Sequence, residues 1–237
     1  CSSLSGSLTI PEGVTYIGSS AFMNCSEMKG SLTLPSTLEY IETQAFGGCD
    51  FTCNLILPNK LKYIGNNAFY NNSGFYGDLI LPTELEFLGN EAFNSCSNIT
   101  GSLTIPQKIK YIPDGAFMWT GFDGTLVLHD GITRIERNAF GYAHFKGELM
   151  LPKHLVTIGE QAFYGCNFSG ELKLPEELVT IGNAAFYNNA RISGIIEFPG
   201  TITTIGKETF YGCNGIEGIV IPSSVENIRS GAFENCF

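Results

Sequence analysis

The sequence predicts a repeat solenoid, and three regularities in its 237 residues predict it. A phenylalanine recurs every 23 or 24 residues, ten times in all. Each follows a proline by eleven residues, with one replacement of the proline, and short Leu- and Ile-rich segments recur beside them. A period in this range predicts stacked coils that bury their apolar side chains against one another. The phenylalanines are Phe22, Phe46, Phe69, Phe93, Phe117, Phe140, Phe163, Phe186, Phe210 and Phe233.

Each repeat begins with a short strand that ends at the proline. Positions are counted from this proline, which is Pro11 in the first repeat and Pro222 in the last. Positions −3 and −1 are apolar, as in Leu149 and Leu151, so both lie on one face of a strand. Stacked strands about 4.8 Å apart form a parallel sheet. Proline ends the strand because it has no N–H to donate. The sequence therefore predicts a leucine-rich-repeat superhelix, with a parallel sheet on its concave face and short turns, 3₁₀ or brief helical segments elsewhere.

The rest of the repeat is interpreted as a turn around the core. A second apolar pair stands at positions +3 and +6, for example Leu61 and Ile64, and a glycine often follows. Ala-Phe then occupies positions +10 and +11, so stacked phenyl rings are expected to form a continuous spine. The interval from the phenylalanine to the next proline is twelve or thirteen residues. The one-residue variation is therefore expected in the connecting loop, where insertions are tolerated.

The repeat resembles a known bacterial family. Leu149-Met-Leu-Pro-Lys-His-Leu-Val-Thr-Ile-Gly-Glu-Gln-Ala-Phe-Tyr-Gly-Cys166 is similar to the unit of the BspA-like, or treponemal, class of leucine-rich repeats. The resemblance extends over all ten repeats. It implies a surface-exposed or secreted bacterial protein, of a kind often described as an adhesin for host matrix proteins or other cells. A proline stands where other leucine-rich classes place Asn or Cys, so inferences from those classes are not carried over.

Composition excludes several functions and leaves the N-terminus open to two interpretations. A net charge of −10 argues against nucleic acid and anionic membranes as partners, and no apolar run reaches the about 18 residues of a membrane span. Residues 1–237 are expected to form a single leucine-rich-repeat domain that begins within a repeat. Cys1 fits this register as an ordinary repeat cysteine; the alternative is the acylated first residue of a lipoprotein. An uncapped first strand favours end-to-end self-association.

The eight cysteines follow the repeat rather than a disulfide framework. Seven share position +14, and Cys53 alone stands in the glycine position −5. Since other repeats place Asn, Thr or Ala at +14, the position is interpreted as a small buried space that free thiols fill. A Cys49–Cys53 pair remains the alternative. The seven are Cys1, Cys25, Cys49, Cys96, Cys166, Cys213 and Cys236.

No catalytic, metal or cofactor motif is present in the sequence. His129, His144 and His154 lie in adjacent repeats, but none has a second ligand at a zinc-site spacing, so solvated surface histidines are expected. Glu176 and Glu177 follow a strand-ending proline, where a solvated edge is expected. The sequence therefore predicts a protein that is not an enzyme and holds no cofactor.

The outward positions of the predicted strands form the candidate binding site. At position −2, the middle repeats carry apolar residues where the first two carry threonine. At position −4, acidic residues border this group. Exposed apolar side chains in one place mark interaction surfaces, although Ile and Val also favour strands for their own sake. The candidate residues are Ile56, Ile80, Val127 and Met150 with Asp78, Glu148 and Glu171.

Three functions follow from these surfaces. The sequence favours non-catalytic recognition of a protein or peptide through the concave sheet. The first alternative is glycan binding by aromatic edges, one at position +5 and one that follows the spine phenylalanine, although packing of the rings on one another is favoured. The second alternative is a structural spacer. The central repeat, with His129 in place of proline and Arg134 ending the aromatic series, is the first place to expect a ligand.

Overall fold

The chain folds as a parallel β-solenoid of about ten coils in a computed structural model that describes residues 4–236. These residues contain strands and hydrogen-bonded turns but no helix, so the segments between strands are turns throughout. Corresponding positions of successive repeats lie side by side. Leu8 pairs with Leu32, and Leu126 pairs with Leu103. The predicted repeat register is therefore confirmed; the two interpretations of Cys1 lie outside the described residues.

The strands form two parallel ladders on different sides of each coil. The first ladder precedes the proline, as predicted, and contains β1 (Leu8–Thr9), β3 (Leu32–Thr33), β6 (Gly77–Asp78), β8 (Ile99–Thr100), β9 (Leu103–Thr104), β11 (Leu126–Val127), β14 (Ser169–Glu171), β16 (Arg191–Glu197) and β18 (Ile216–Val220). The second contains β2 (Tyr16–Ile17), β4 (Tyr40–Ile41), β5 (Tyr63–Ile64), β7 (Phe87–Leu88), β10 (Tyr111–Ile112), β12 (Arg134–Ile135), β13 (Thr157–Ile158), β15 (Thr180–Ile181), β17 (Thr204–Ile205) and β19 (Asn227–Ile228).

The second ladder was not predicted, because positions +5 and +6 were interpreted as part of a turn. It has a strand in every coil, and its strand pairing is interrupted after β7 and again after β15. The N–H at position +7 normally donates to the preceding coil, as from Gly89 N to Ile64 O at 2.8 Å. Pro113 occupies this position in the fifth coil and has no N–H to donate. The interruption between β7 and β10 therefore follows from one residue.

A third set of coil-to-coil hydrogen bonds runs along the Ala-Phe turn. Phe46 N donates to Ala68 O at 2.8 Å, and Gly48 N donates to Tyr70 O at 2.7 Å. The residues at positions +9 and +13 have a left-handed backbone in all ten coils, with φ between 52° and 71°. These two left-handed residues alternate the direction of the peptide groups, so N–H groups point toward the next coil. Coil-to-coil hydrogen bonds thus run along three sides of the solenoid, with breaks in the strand pairing of the second ladder.

The phenylalanine spine is confirmed and has an unpredicted companion. Successive spine rings have centroids 5.1–5.9 Å apart along the whole chain. A second group of buried rings stands at position −7 and packs edge-on against the spine, as Phe122 does on Phe117 at 6.1 Å. The core is therefore aromatic on two sides of the turn. The second group comprises Phe51, Phe75, Phe122, Phe145 and Phe168.

Position +14 is a small buried space, as interpreted from the sequence, and its side chains also supply hydrogen-bond donors. Cys49 Sγ lies 3.0 Å from Phe22 O of the preceding coil, and Cys96 Sγ lies 3.1 Å from Phe69 O. Asn72 Nδ2 donates to Phe46 O at 2.8 Å in the same way. The seven described cysteines are free and buried, and burial raises the pKa of the Cys96 thiol to about 12.

Cys53 has a different role, in the first ladder. Its Sγ accepts a hydrogen bond from Leu32 N of the second coil at 3.4 Å. The corresponding Leu8 N of the first coil donates instead to a backbone carbonyl of the next coil, Ser31 O. The third coil has no strand between Cys53 and its proline, Pro58. Since the Sγ atoms of Cys49 and Cys53 contact different backbone groups, the structure gives no support to a disulfide between them.

We expect Asn72→Cys to stabilise the protein. Asn72 is fully buried, and within residues 4–236 its Oδ1 has no hydrogen-bond partner. An unpaired buried polar atom costs about 1–3 kcal/mol. Cysteine removes that oxygen and keeps a donor directed at Phe46 O, so the free energy of unfolding should rise by about 1 kcal/mol. Urea unfolding at pH 7 measures the change; Asn72→Ala, which also removes the donor, is the matched control. A loss of stability in Asn72→Cys would contradict this account.

Candidate binding surfaces

The four predicted apolar residues lie on one outward column, as expected from strand alternation. Ile56, Ile80, Val127 and Met150 are 73%, 77%, 48% and 62% exposed. Thr104 stands between Ile80 and Val127 in the same column. Only Val127 lies within a strand, so the other three are presented by unpaired extended segments of the first ladder. The structure thus brings the four side chains into one register without burying them.

Shallow grooves border this column. One, lined by Leu79, Ile80, Thr83 and Thr104 among others, lies beside the fourth coil, and another lies beside Ile56. Both contain apolar carbon and hydroxyl or amide groups side by side. Such grooves accept individual side chains of a bound polypeptide better than a flat sheet does.

The predicted acidic border is exposed and extends into a cleft that the sequence did not predict. Asp78, Glu148 and Glu171 are exposed, and Glu171 lies 3.6 Å from Lys173 in an exposed ion pair. The cleft has a volume of about 630 Å³ and continues from Glu171 toward the C-terminal coils. Its charged lining residues are Glu171, Lys173, Glu176, Glu197 and Glu217. Four carboxylates against one ammonium group make the cleft attractive to a cation.

Exposed apolar side chains also occur at the C-terminal end of the first ladder. Ile195, Val220 and Ile221 are 56%, 52% and 42% exposed. The apolar surface is therefore longer than the predicted patch and is divided by Lys173 and Glu197 at position −2.

His129 takes over the structural role of the missing proline. Gly131 N donates to its Nδ1 at 3.1 Å, and Nε2 lies 3.0 Å from Pro106 O. With Nδ1 as acceptor, Nε2 carries the proton and donates, so the ring closes the turn. Arg134 lies in the second ladder, where its guanidinium is 5.1 Å from the centroid of Tyr111. The irregular residues of the central repeat therefore lie on different sides of the coil and do not form one ligand site.

The histidines do not gather metal ligands. His154 Nδ1 lies 2.8 Å from Glu177 Oε1, and His144 Nδ1 lies 3.5 Å from Asn167 Nδ2. Within residues 4–236, no cluster of three or more His, Cys, Asp or Glu side chains has the arrangement of a metal site. The described part of the chain also contains no helix with the length and hydropathy to cross a bilayer.

The aromatic series at position +5 packs on itself, as the sequence analysis favoured. Ring centroids of Tyr16 and Tyr40 are 6.4 Å apart, those of Tyr40 and Tyr63 are 6.3 Å apart, and those of Tyr63 and Phe87 are 4.6 Å apart. Tyr63 and Phe87 cover each other's faces, whereas Tyr16 and Tyr40 are tilted against each other at 44° and are 55% and 38% exposed, so free aromatic surface on this edge is confined to its first two coils.

The aromatic series that follows the spine phenylalanine forms a stack along the Ala-Phe turns of coils five to nine, which we call the turn side. Trp119 and Tyr142 stack at 3.7 Å, and Tyr164, Tyr187 and Tyr211 continue the stack with 4.5–4.8 Å between centroids. Burial and a hydrogen bond with Tyr142 raise the pKa of the Tyr164 phenol. The stack starts at Trp119, which is 46% exposed.

Trp119 and Tyr142 occupy position +13, where φ is positive. Their φ angles are 57° and 58°, whereas the other eight coils place Asn, Gly or Ser there. A left-handed backbone costs a bulky residue about 1–2 kcal/mol, and such strain clusters at functional sites. Sequence reasoning grouped these rings with the tyrosines at +12 and missed the strain, because the left-handed position is visible only in the backbone.

The fold and the repeated core define a leucine-rich-repeat protein. The chain belongs to the BspA type leucine rich repeat region family, whose model matches residues 1–123 and 110–237 in six copies. The resemblance inferred from the repeat unit is confirmed by this match. No curated protein matches the chain at a significant level.

Solved structures of bacterial leucine-rich-repeat proteins share the fold. A protein from Bacteroides ovatus is 23% identical with a TM-score of 0.71 and is aligned over 100% of this chain and 65% of its own. A leucine rich cell surface protein from Faecalibacterium prausnitzii is 22% identical with a TM-score of 0.57, over 92% and 59%. The pneumococcal vaccine antigen PcpA is 21% identical with a TM-score of 0.55, over 94% and 56%. The chain thus spans less than two thirds of each of these proteins, and the likeness concerns the fold.

Proposed function

We propose that this chain is a non-catalytic recognition module of a bacterial surface or secreted protein, and that it binds an extended protein or peptide segment through the first ladder. The observation that carries the proposal is the column of Ile56, Ile80, Val127 and Met150, whose side chains are exposed by 48–77% in one register. Aligned apolar side chains with a polar border are typical of interaction surfaces. An adhesive role agrees with the cell surface and vaccine antigen descriptions of two proteins that share the fold.

The dimensions of the column suit a short extended segment. Ile56 and Met150 are four coils apart, or about 19 Å at 4.8 Å per coil. An extended chain covers this distance with about six residues. The column lies in coils three to seven, each of which has another coil on either side, so no free sheet edge is available beside it. The partner therefore binds by side-chain contacts rather than by adding a strand.

The charges around the column favour a basic partner. Asp78, Glu148 and Glu171 border the apolar residues, and the whole chain carries a net charge of −10. Opposite charge accelerates encounter and discriminates against acidic partners. The partner is therefore an apolar segment flanked by Lys or Arg, and its association should slow as salt rises.

We expect Ile80→Asp combined with Met150→Lys to abolish partner binding. Both side chains are exposed, so the melting temperature should change little while affinity falls at least tenfold. Binding is measured by biolayer interferometry against immobilised collagen, laminin and fibronectin and against basic-apolar peptides. Thr9→Asp combined with Thr33→Lys makes the same charge changes at position −2 of the first two coils and serves as the matched control.

Two outcomes would overturn this proposal. If the Ile80/Met150 variant binds as tightly as the native protein, the column is not the binding surface. If the native protein binds none of the immobilised proteins or peptides, the spacer function replaces recognition by the first ladder.

A further inference from the structure

The aromatic stack on the turn side lacks a ring in one coil. Tyr70 occupies position +12 in the third coil, as Tyr164 and Tyr187 do in later coils, and Trp119 begins the stack in the fifth coil. The fourth coil has Asn94 and Ser95 at positions +12 and +13. Small polar side chains therefore stand between two exposed rings that are two coils apart.

The spacing of the coils leaves room for one inserted ring between Tyr70 and Trp119. Two coil rises amount to about 10 Å, which leaves about 5 Å from each aromatic ring to a ring placed midway. Centroid distances of 4.5–7 Å are normal for ring packing. Tyr142 covers one face of Trp119, so the face toward the fourth coil is the one open to a ligand.

The polar side chains between Tyr70 and Trp119 are neutral or acidic, and they include both hydrogen-bond donors and acceptors. Ser95 Oγ donates to Asn94 Oδ1 at 2.8 Å, so the same oxygen can still accept a hydrogen bond from a ligand. Glu91 Oε2 accepts from Asn67 Nδ2 at 2.9 Å, and its second oxygen makes no protein hydrogen bond within the described residues. Asn71 is exposed beside them.

We propose that Tyr70 and Trp119 form the walls of a binding site for one neutral hexopyranose residue of a glycan. The two C–H faces of a pyranose ring suit two flanking aromatic rings, and its rim of hydroxyls suits Ser95, Asn71 and Glu91. An anionic sugar is disfavoured by Glu91 and by the net charge of −10. The backbone strain of Trp119 and Tyr142 is then retained because it orients the Trp119 ring toward the sugar.

This site is independent of the protein-binding column. The column belongs to the first ladder, whereas Tyr70 and Trp119 lie on the Ala-Phe turn, a different side of the coil. The two sites are therefore expected to bind their ligands without competing.

Fluorescence of Trp119, the one tryptophan in the chain, tests the site directly. Titration with neutral hexaoses of gluco, galacto and manno configuration is expected to shift or quench the emission saturably for at least one of them. Tetramethylammonium chloride and a sialylated oligosaccharide are titrated in parallel. A saturable response to tetramethylammonium alone would make this a cation site and overturn the proposal, as would a response to none of the hexaoses.

Variants separate binding from stability. Trp119→Asn removes one wall of the site and places at +13 the residue found in four other coils. The melting temperature of this variant should therefore equal or exceed that of the native protein. Its affinity for the hexaose, measured by calorimetry, should fall more than tenfold. Ser95→Tyr fills the space and should block binding with Trp119 intact. Tyr211→Asn, at the far end of the stack, is the control and should bind normally. Native affinity in Trp119→Asn or in Ser95→Tyr would overturn the proposal.

Discussion

Phe117→Ala is expected to lower the free energy of unfolding by about 3–5 kcal/mol, the usual cost of removing a buried phenyl ring. Phe117 is fully buried in the middle of the spine. Its ring stacks on Phe93 at 5.8 Å and on Phe140 at 5.7 Å, and Phe122 meets it edge-on. The substitution therefore opens a cavity that three rings line. The backbone around it is hydrogen-bonded to both adjacent coils along the Ala-Phe turn, from Phe93 N to Ala116 O and from Phe117 N to Ala139 O, so it has little freedom to close the cavity.

The matched control is Phe233→Ala in the last coil. Phe233 is partly exposed and stacks on one spine ring, Phe210, at 5.9 Å. In a repeat array each coil is stabilised mainly by its neighbours, so loss at an end disturbs one interface instead of two. We expect a cost below about 2 kcal/mol, measured by urea unfolding under the same conditions. Equal losses in the two variants would contradict a spine whose stability depends on stacking from both sides.

The sequence predicted those features of the fold that depend on buried side chains at a constant spacing. Proline and phenylalanine are always eleven residues apart, so the first strand and the spine share one register that the sequence displays. The second group of rings escaped notice because Phe51 follows its spine residue by five positions and Phe75 follows its own by six. The one-residue variation in the connecting loop hides the pattern when it is counted from the spine.

The second ladder and the coil-to-coil hydrogen bonds along the Ala-Phe turn depend on the backbone. They impose a weaker pattern on the residue types in the sequence than the buried core does. Position +9 has a positive φ in every coil, yet it is filled by residues as different as Gln44, Ala184 and Glu208. Hydrogen bonds to the adjacent coils determine the backbone there, against the intrinsic preference of these residues. No single-repeat propensity argument predicts such a conformation.

Of the two candidate sites, one could be predicted from the sequence pattern and the other could not. Outward positions on a strand follow from alternation, so Ile80 and Met150 were placed correctly on the exposed side of the first ladder. The aromatic stack beside the proposed glycan site joins rings from two repeat positions, because Trp119 and Tyr142 stand at +13 and Tyr164 stands at +12. A count of repeat positions alone therefore assigns these rings to two groups, although the backbone brings them into one stack.

The buried thiols are expected to make the protein strongly sensitive to alkaline pH. Burial raises the pKa values of Cys96 and Cys213 to about 12 in the folded chain, against 9.0 for an unburied thiol. Below pH 9 both thiols are protonated in the folded and in the unfolded chain, so the free energy of unfolding keeps its full value. Between pH 9 and 12 the unfolded chain releases them and the folded chain does not, so stability falls as pH rises. At pH 11 the loss is about 2–3 kcal/mol for each thiol.

Urea unfolding at pH 8, 9, 10 and 11 measures this loss, and Cys96→Asn combined with Cys213→Asn is the matched variant. Asparagine naturally occupies position +14 at Asn72 and Asn189, where it donates to the same type of phenylalanine carbonyl and does not titrate. The variant should be less stable at pH 8, because each new side-chain oxygen lacks a partner. Above pH 9 the free energy of unfolding of the variant should nevertheless fall less steeply than that of the native protein. The two slopes should differ by about 1.4 kcal/mol per pH unit for each thiol removed. Tyrosine and lysine titration is common to both proteins, so parallel curves would mean that the thiols ionise within the fold and that position +14 is open to water.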